Sequence, residues 1–322
     1  STLAVQVTTS PTALYRSVDF SAVVAVLTKK AMLDVQRPKE EILAPLHTAR
    51  ANVSTQTIQI LSEYRKNTKA ASLPSGQLIL PDKLQLLPLF AMSLMKSSML
   101  RPCLPPRSSG LRATIANPTA DERAYALYHG ARVTPTMAML MVHPNIFPLT
   151  MEEGIGEWVV PQVPHDIRSE LEMLSYHSCI RMPQSLQPSI ANLDGEGMYL
   201  IDDGLTLFVY VGVSVPADVK TELLTTCESR GCVVSESTDY GKMVHRLVWQ
   251  CRQFTSVNGS GDHVRPVHAP VVVVFGRSGS EKDIFDQSIM SLMVDDAIGG
   301  ERDYVEFLCD AHKRVRVIAE KG

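Results

Sequence analysis

The sequence lacks the cysteine patterns of zinc sites and of disulfide frameworks. Its six cysteines form no CxxC pair, and no second pair lies at zinc-finger spacing. They are spread along the chain as Cys103, Cys179, Cys227, Cys232, Cys251 and Cys309. Several fall on apolar helical faces, where a free thiol behaves as a small hydrophobic side chain. This usage favours a reduced, cytosolic protein.

The sequence also lacks long hydrophobic runs and any strong charge imbalance. The longest apolar stretches, Leu207–Val215 and Pro270–Phe275, are far shorter than the ~20 residues that a membrane span requires. We find no signal-peptide pattern. With 31 basic and 34 acidic residues, the net charge is −3 and the pI is near 6.3. This balance argues against nucleic-acid binding, and a membrane-binding basic face would have to be local.

What the 322 residues do contain is enough apolar material for two folded domains. The composition is 45% hydrophobic and 20% charged, which argues against wholesale disorder. At the start, residues 3–8 alternate like a strand that has no partner nearby in the sequence. We therefore expect that the chain was cut from a larger protein, whose sheet contains that strand.

From Asp19 to about Met141 the pattern is helical. Asp19 is a candidate N-cap, and the next helix carries one apolar stripe that includes Ile42, Ile60 and Tyr64. Pro45 falls in its first turns, so this helix either starts late or bends there.

Further proline and cap signals divide the rest of this helical region. Pro81 opens a third helix, in which Pro88 predicts either a kink or a junction of two short helices. Residues 102–118 are rich in proline and serine and predict an exposed loop. Thr119 or Asp121 caps another helix, and Pro135 starts one more. Strand signals are almost absent, which predicts an all-α domain.

After His143 the pattern changes to mixed strands and helices. Residues 151–184 are irregular, which is typical of an insertion or a long surface loop. Two strand-like runs joined by Asp202, Asp203 and Gly204 predict a hairpin. Val271–Phe275 is a β-branched run, which favours a strand covered on both faces.

Helical patterns in the same region predict the elements that cover the sheet. They begin at Pro216 and at Tyr240, a third has Ser280 as its cap, and a last one runs from Tyr304 to Ile318. Together with the strands they indicate a small α/β sheet packed by helices.

Several segments, taken in chain order, carry a resemblance. The segments are Ser75–Pro81 continued by Asp82–Ser97, then Asp121–Tyr125, Val142–Phe147, the hairpin runs Gly197–Gly204 and Leu207–Gly212, and the C-terminal Val294–Asp296, Gly299–Gly300, Tyr304–Cys309 and His312–Lys313. Together they resemble one known family, the Sec24 family of COPII vesicle coats. No single segment is diagnostic, but the ordered set is specific. The chain departs from the family pattern at residues 151–182 and 102–118.

The resemblance implies a domain organisation and an α+β multidomain fold. Residues 1–18 would be the end of a truncated β-sandwich, and 19–142 would be an all-helical domain. Residues 143–322 would be a gelsolin-like α/β domain with a small central sheet and a C-terminal helix.

The resemblance also implies a function in binding rather than in catalysis. The chain would be a structural and cargo-adaptor component of the COPII coat in ER-to-Golgi transport. Its implied partners are an inner-coat sister subunit in a heterodimer, cytosolic tails of membrane cargo, and the outer-coat subunits and small GTPase of the assembled coat. It would be cytoplasmic and peripheral at ER exit sites and on COPII vesicles. Zinc is expected only in a zinc-finger domain outside this chain.

Two glycine-containing segments suggest enzymatic sites but fit them poorly. Gly276–Lys282 lies between a strand and a helix like a phosphate-binding loop, yet Asp283 stands where serine or threonine should bind magnesium. An ordinary turn with Ser280 as helix cap is favoured. Gly259–His263 is a candidate nucleophile or ligand loop, but no third triad member is implied by spacing.

Two other groups suggest metal ions. His245, Cys232 and Cys251 could be ligands, but they lie on separate predicted elements, so core packing is favoured. Asp202 and Asp203 are candidate calcium ligands, since gelsolin modules sometimes bind calcium near this hairpin. Calcium requires about six or more oxygens, and a hairpin also prefers aspartates for conformational reasons.

Two rival functions remain open. A gelsolin-type module could bind actin or calcium, and a GTPase-activating sister subunit could supply an arginine finger from Arg277 or Arg302. We favour solvated loop arginines. The sequence predicts no catalytic, cofactor-binding or metal-binding residue in this chain, and it assigns no residue to cargo binding.

Overall fold

The chain forms two compact units. The computed structural model describes residues 9–36, 44–67, 77–102, 117–159, 179–227, 231–253, 270–276, 286–298 and 300–321. One unit comprises Ser1–His143 together with Met290–Gly322, and the other comprises Pro144–Ile289. The second unit is therefore inserted, in sequence, into the first.

Among the described residues, the regular elements of the first unit are helices. Its helices are α1 (Pro11–Ser17), α2 (Phe20–Gln36), α3 (Ala44–Asn67), α4 (Leu87–Lys96), α5 (Ala120–Gly130), α6 (Pro135–Val142) and, at the end of the chain, α10 (Tyr304–Lys321), with a 3₁₀ turn at Asp82–Leu84. The all-helical domain expected from the sequence is confirmed.

The helices of this unit begin where polar caps satisfy the free backbone amides. The Asp19 carboxylate accepts from the amides of Ser21 and Ala22 at 2.9 and 3.4 Å, as predicted. Of the two candidates before α5, Thr119 is the cap, and it forms a capping box with Glu122.

Two of the prolines act as helix starters rather than as kinks. Pro45 lies in the first described turn of α3, and the residues just before Ala44 lie outside the described part of the chain, so the choice between a late start and a bend stays open. Pro88 lies at the start of α4, after the 3₁₀ turn, so it marks a junction of two short helices. Pro135 starts α6, with the Thr134 hydroxyl accepting from Met137.

The last helix of the chain completes the core of this unit. In α10 the buried side chains Ala311 and Val315 pack against Ile58 and Leu61 of α3. Residues 143–322 were expected to form one domain, but packing groups the segment from Met290 onward with the helical unit. The difference arises because the apolar face of α10 is buried against α3. The limits of the sequence-defined domains stay a prediction.

The second unit is built on a small mixed sheet. Its main strands are β1 (Asn145–Pro148), β4 (Met198–Asp202), β5 (Leu207–Val211) and β8 (Val271–Phe275), in the order β1-β4-β5-β8. The predicted β4–β5 hairpin is confirmed, and β8 pairs parallel with β5. Two-stranded sheets form from β2 (Trp158–Val159) with β3 (Cys179–Ile180) and from β6 (Leu224–Cys227) with β7 (Gly231–Val234).

Helices cover this sheet. They are α7 (Ala217–Leu223) and α8 (Asp239–Gln253), whereas the short α9 (Gln287–Met290) lies where the chain rejoins the helical unit. The face of α8 that carries Val244, Leu247 and Cys251 is buried in one core cluster with Leu200 and Val209 of the sheet. The predicted fold class, a helical domain followed by an α/β domain with a small central sheet, is confirmed.

Strand β8 differs from its prediction. The run Val271–Phe275 is a strand, but it is not covered on both faces, because Val272 and Phe275 are 39% and 40% exposed. Among the described residues this strand pairs only with β5, so it lies at the edge of the sheet.

Some sequence predictions fall on residues outside the described part of the chain. They concern the strand at residues 3–8, most of the loops at 102–118 and 151–184, and the cap at Ser280. Within the predicted β-sandwich end, residues 1–18, the described part contains helix α1, with Tyr15 against Tyr64.

The packing of α10 predicts a difference between two valines of the same helix. Val315 is 2% exposed and Val317 is 47% exposed. We expect Val315→Ala to lower the free energy of unfolding by about 2 kcal/mol, through lost transfer energy and a residual cavity. Val317→Ala shares the change in helix propensity and should cost almost nothing. Chemical denaturation followed by circular dichroism compares them, and equal losses would contradict the packing described for α10.

A buried tyrosine in the second unit predicts an alkaline loss of stability. The Tyr240 hydroxyl donates to the Leu149 carbonyl at 2.6 Å, and burial, assisted by Glu222, raises the pKa of Tyr240 to about 12. Between pH 10 and 12 the unfolded chain loses this proton while the folded chain keeps it, so stability falls as pH rises.

The matching experiment compares Tyr240→Phe with Tyr128→Phe, an exposed control in α5. At pH 7 we expect Tyr240→Phe to cost about 1 kcal/mol through the lost hydrogen bond. Between pH 10 and 12 its stability should fall less steeply than that of the parent chain. Denaturation curves over this pH range measure the slopes, and an unchanged slope would show that Tyr240 does not couple to folding.

Candidate functional site

A buried lysine in the helical unit holds the segment that returns from the α/β unit. Lys96 lies in the last turn of α4 and is only 6% exposed. Its ammonium donates to the carbonyls of Val294 and Asp296, both at 2.7 Å. A buried ammonium is costly unless acceptors surround it, so these carbonyls fix the segment against α4.

Two opposing effects act on the pKa of Lys96. Burial lowers the pKa of Lys96 below its usual value, and nearby carboxylates, Glu301 foremost, oppose that shift. Asp295, Asp296 and Asp303 contribute in the same sense as Glu301. The acidic residues thus favour the protonated lysine whose hydrogen bonds hold the segment.

Two arginines add to this contact. Arg50 of α3 binds both carboxylate oxygens of Glu301, at 2.7 and 2.8 Å, and also donates to the carbonyls of Met95 and Leu100. Both contacts to Glu301 come from the same terminal nitrogen, Nη2, while Nη1 donates to the two carbonyls, so the guanidinium joins that segment to α4 and the turn after it. Arg101 donates to the carbonyl of Ser291 at 3.0 Å.

We call Arg50, Lys96 and Arg101 the clamp, and residues 290–298 and 300–303 the strap. The clamp comes from α3, α4 and the turn after α4, and the strap leads into α10. Each clamp residue binds a different part of the strap. Because the side chains are charged and mostly shielded from water, each needs its partners in place, so the contact favours one register of the strap.

A histidine at the end of the first helical segment adds to the same contact. His143 lies 3.4 Å from the Asp295 carboxylate and stacks on Phe90 at a centroid distance of 5.1 Å. The chain leaves the helical unit at His143 and rejoins it at Met290. The two side chains therefore lie close together where the chain leaves and rejoins the helical unit, without a hydrogen bond between them.

A polar cavity of about 370 Å³ lies beside the clamp, within the helical unit. It is lined by charged side chains of α3, α4 and α10 and by a few apolar groups: Arg50, Ala51, Ser54, Met92, Met95, Lys96, Gly300, Glu301, Arg302, Phe307, Asp310 and Arg314. Its polar lining suits the binding of a small charged group rather than an apolar one.

The two aspartates considered for calcium are used by the hairpin turn. Asp202 accepts from the amide of Gly204 at 2.9 Å, and Asp203 accepts from the amides of Leu205 and Thr206 at 2.9 and 2.6 Å. Gly204 has a φ of +82°, which glycine adopts without strain. These contacts support the conformational interpretation of the two aspartates.

The histidine and cysteines considered as metal ligands lie in different surroundings. Cys251 is buried in the core of the α/β unit, Cys232 is partly buried, and His245 is 3.3 Å from the Val234 carbonyl. Among the described residues, no group of three or more histidine, cysteine, aspartate or glutamate side chains could hold a metal ion. The prediction that this chain has no metal-binding residue stays a prediction.

Of the two arginines considered as an arginine finger, the structure describes one. Arg302 is 58% exposed and pairs with Asp310 at 3.2 Å. Arg277 and the segments Gly259–His263 and Arg277–Lys282 lie outside the described residues. The sequence predicts that this chain has no catalytic residue, and this also stays a prediction.

Sequence reasoning missed the clamp. One signal was available. Lys96 is the one charged residue of α4, whose other residues are mostly apolar, and a charge that is buried requires polar partners. The sequence could not identify those partners, because Val294 lies 198 residues away.

A search for membrane-spanning helices in the described part of the chain found none with the required length and hydropathy.

Comparison with known proteins gives consistent matches. Residues 19–140 match the family described as the Sec23/Sec24 helical domain. Human protein transport protein Sec24C is 26% identical over 310 residues, which covers 94% of this chain and 23% of that protein. Arabidopsis thaliana protein transport protein SEC24 A is 22% identical over 308 residues, covering 94% and 25%.

A solved structure agrees with these matches. The crystal structure of the human COPII-coat protein Sec24c aligns with a TM-score of 0.66 and 25% identity, covering 98% of this chain and 34% of that one. The chain spans about a quarter of the length of the curated relatives it matches. The family resemblance expected from the sequence is confirmed, with the helical and gelsolin-like arrangement that it implied.

The clamp predicts that Lys96 contributes strongly to stability. We expect Lys96→Met to lower the free energy of unfolding by about 3 kcal/mol, because two buried carbonyls lose their donor. Lys30→Met, on the exposed face of α2, is the matched control and should change it by less than about 0.5 kcal/mol. Thermal and chemical denaturation measure both. Similar losses in the two variants would mean that the ammonium contacts do not hold the strap.

Proposed function

We propose, from the premise that the chain belongs to the Sec24 family, that it serves as a structural and cargo-adaptor component of the COPII coat in ER-to-Golgi transport. The observation that carries this proposal is the match along almost the whole chain to Sec24 transport proteins. The shared fold with a solved COPII-coat protein supports it.

In this function the helical unit would act as a rigid strut. Its longest helix, α3, has 24 residues and is therefore about 36 Å long. Helix α10 packs along α3, and the clamp joins α3 and α4 to the strap. A coat subunit must keep its shape while partners bind, and buried charged contacts of this kind favour one arrangement over others.

We propose that the chain acts by binding and not by catalysis. The clamp charges are engaged in structural contacts, and the aspartates of the hairpin are engaged in its turn. The relatives carry the names of transport and coat proteins, which supports the same conclusion.

The proposed partners are those of a COPII inner-coat adaptor. They are a sister subunit in a heterodimer, cytosolic tails of membrane cargo, and, through the assembled coat, outer-coat subunits and a small GTPase. The protein would be cytoplasmic and peripheral at ER exit sites and on COPII vesicles. A zinc site is proposed only for a zinc-finger domain outside this chain.

A chimera tests the proposal directly. We would replace the matching segment of human Sec24C by this chain and express the product in cells that lack their own Sec24C. A Sec24C without the segment is the control. We expect the chimera to concentrate at ER exit sites and to co-purify with the inner-coat sister subunit, above the level of the deleted control. A stable chimera that stays diffuse and fails to co-purify would overturn the proposal.

The two rival functions predict different results in experiments with this chain. A gelsolin-type module would pellet with actin filaments in a calcium-dependent manner. An activating subunit would lose stimulated GTP hydrolysis on Arg302→Ala in a reconstituted coat. Pelleting, or such a loss without cargo-adaptor behaviour, would favour the corresponding rival.

A further inference from the structure

More cationic than acidic side chains line the cavity beside the clamp. Among its lining residues are four cationic side chains, Arg50, Lys96, Arg302 and Arg314, and two carboxylates. They come from α3, α4, the strap and α10, so the fold brings them together from distant parts of the sequence.

Two of these cations are fully committed to structure. Arg50 is paired with both oxygens of Glu301, and Lys96 binds two strap carbonyls while facing the carboxylates of Asp295, Asp296 and Asp303. These two cations therefore offer little to a ligand.

The other two cations share one carboxylate. Arg302 and Arg314 both face Asp310, at 3.2 and 4.0 Å, and their side chains are 58% and 40% exposed. Two guanidinium groups and one carboxylate leave one positive charge uncompensated at this pair. Each guanidinium also has more N–H donors than these contacts use, since it carries five.

We propose that this cavity binds a phosphate group between Arg302 and Arg314. A planar guanidinium group can donate two hydrogen bonds to two oxygens of one phosphate. The side chains of Arg302 and Arg314 are partly exposed and therefore accessible to a ligand. A volume of about 370 Å³ lies within the range of about 300–1,000 Å³ that small-molecule sites occupy.

Two further features of the lining favour an anion with several oxygens. The Ser54 hydroxyl accepts from Arg314 at 2.6 Å, which leaves its own hydrogen for donation to a ligand. Gly300 lines the cavity, and no atom lies within 4 Å of the place where its side chain would be. The cavity is therefore open on the side of the strap.

A substitution of Asp310 tests the proposal through its effect on phosphate affinity. In the ligand-free chain it is the partner of both arginines, and a bound phosphate would compete with it. Removing its charge by Asp310→Asn should therefore strengthen phosphate binding, by about fivefold.

The experiment uses the full 322-residue chain and calorimetric titration with inorganic pyrophosphate at constant ionic strength. We expect Arg302→Gln combined with Arg314→Gln to weaken binding about a hundredfold, and Ser54→Ala to weaken it about tenfold. Lys313→Gln changes an exposed cation of the same helix outside the cavity and should leave binding unchanged. Denaturation curves verify that each variant is folded.

The outcomes separate the proposal from nonspecific attraction. Absence of pyrophosphate binding to the parent chain, or equal weakening by Lys313→Gln and by the double variant, would overturn the proposal. Unchanged affinity in Asp310→Asn would contradict the assigned position of the phosphate.

A second arm identifies the source of the phosphate. Vesicles of phosphatidylcholine with a few per cent phosphatidylinositol 4-phosphate are compared with vesicles of phosphatidylcholine alone. Flotation that requires the phosphorylated lipid and is lost in the double variant would indicate a lipid headgroup. Pyrophosphate binding without flotation would indicate a soluble phosphate compound.

Discussion

The buried ammonium of Lys96 is the contact on which the helical unit depends. A charge so far from water is tolerated only where acceptors surround it, and here the acceptors are the strap carbonyls of Val294 and Asp296. This requirement fixes the strap against α4. Helix α10, which follows the strap, then lies along α3 and buries Val315. Residues nearly 200 positions apart thus form one folded unit.

Local features of the structure were predictable from sequence, and long-range ones were not. The caps at Asp19 and Thr119 and the hairpin at Asp202–Thr206 follow from neighbouring residues alone, so short patterns predict them. The exposure of β8 and the partners of Lys96 depend on which elements meet in space. Arg302 was considered only as a loop cation, and Arg314 was not singled out, because its contact with Ser54 joins distant parts of the chain.

The chemistry of the described polar groups agrees with a protein that works through its shape. The carboxylates of Asp202 and Asp203 hold a turn, Cys251 fills a core, and Arg50 orients Glu301. In an adaptor these contacts would maintain surfaces on which other proteins bind. The pair Arg302 and Arg314 differs, since it has charge and exposure beyond what its single carboxylate partner requires.

Hydrogen–deuterium exchange provides the most direct test that the strap and α10 belong to the helical unit. The full chain would be compared with a chain that ends at Ile289, with the amides of α3 and α4 as the readout. Our account predicts that both helices lose most of their protection in the shortened chain, while strands β4 and β5 keep theirs. Unchanged protection of α3 and α4 would contradict the account, because the helical unit would then fold without its C-terminal segment.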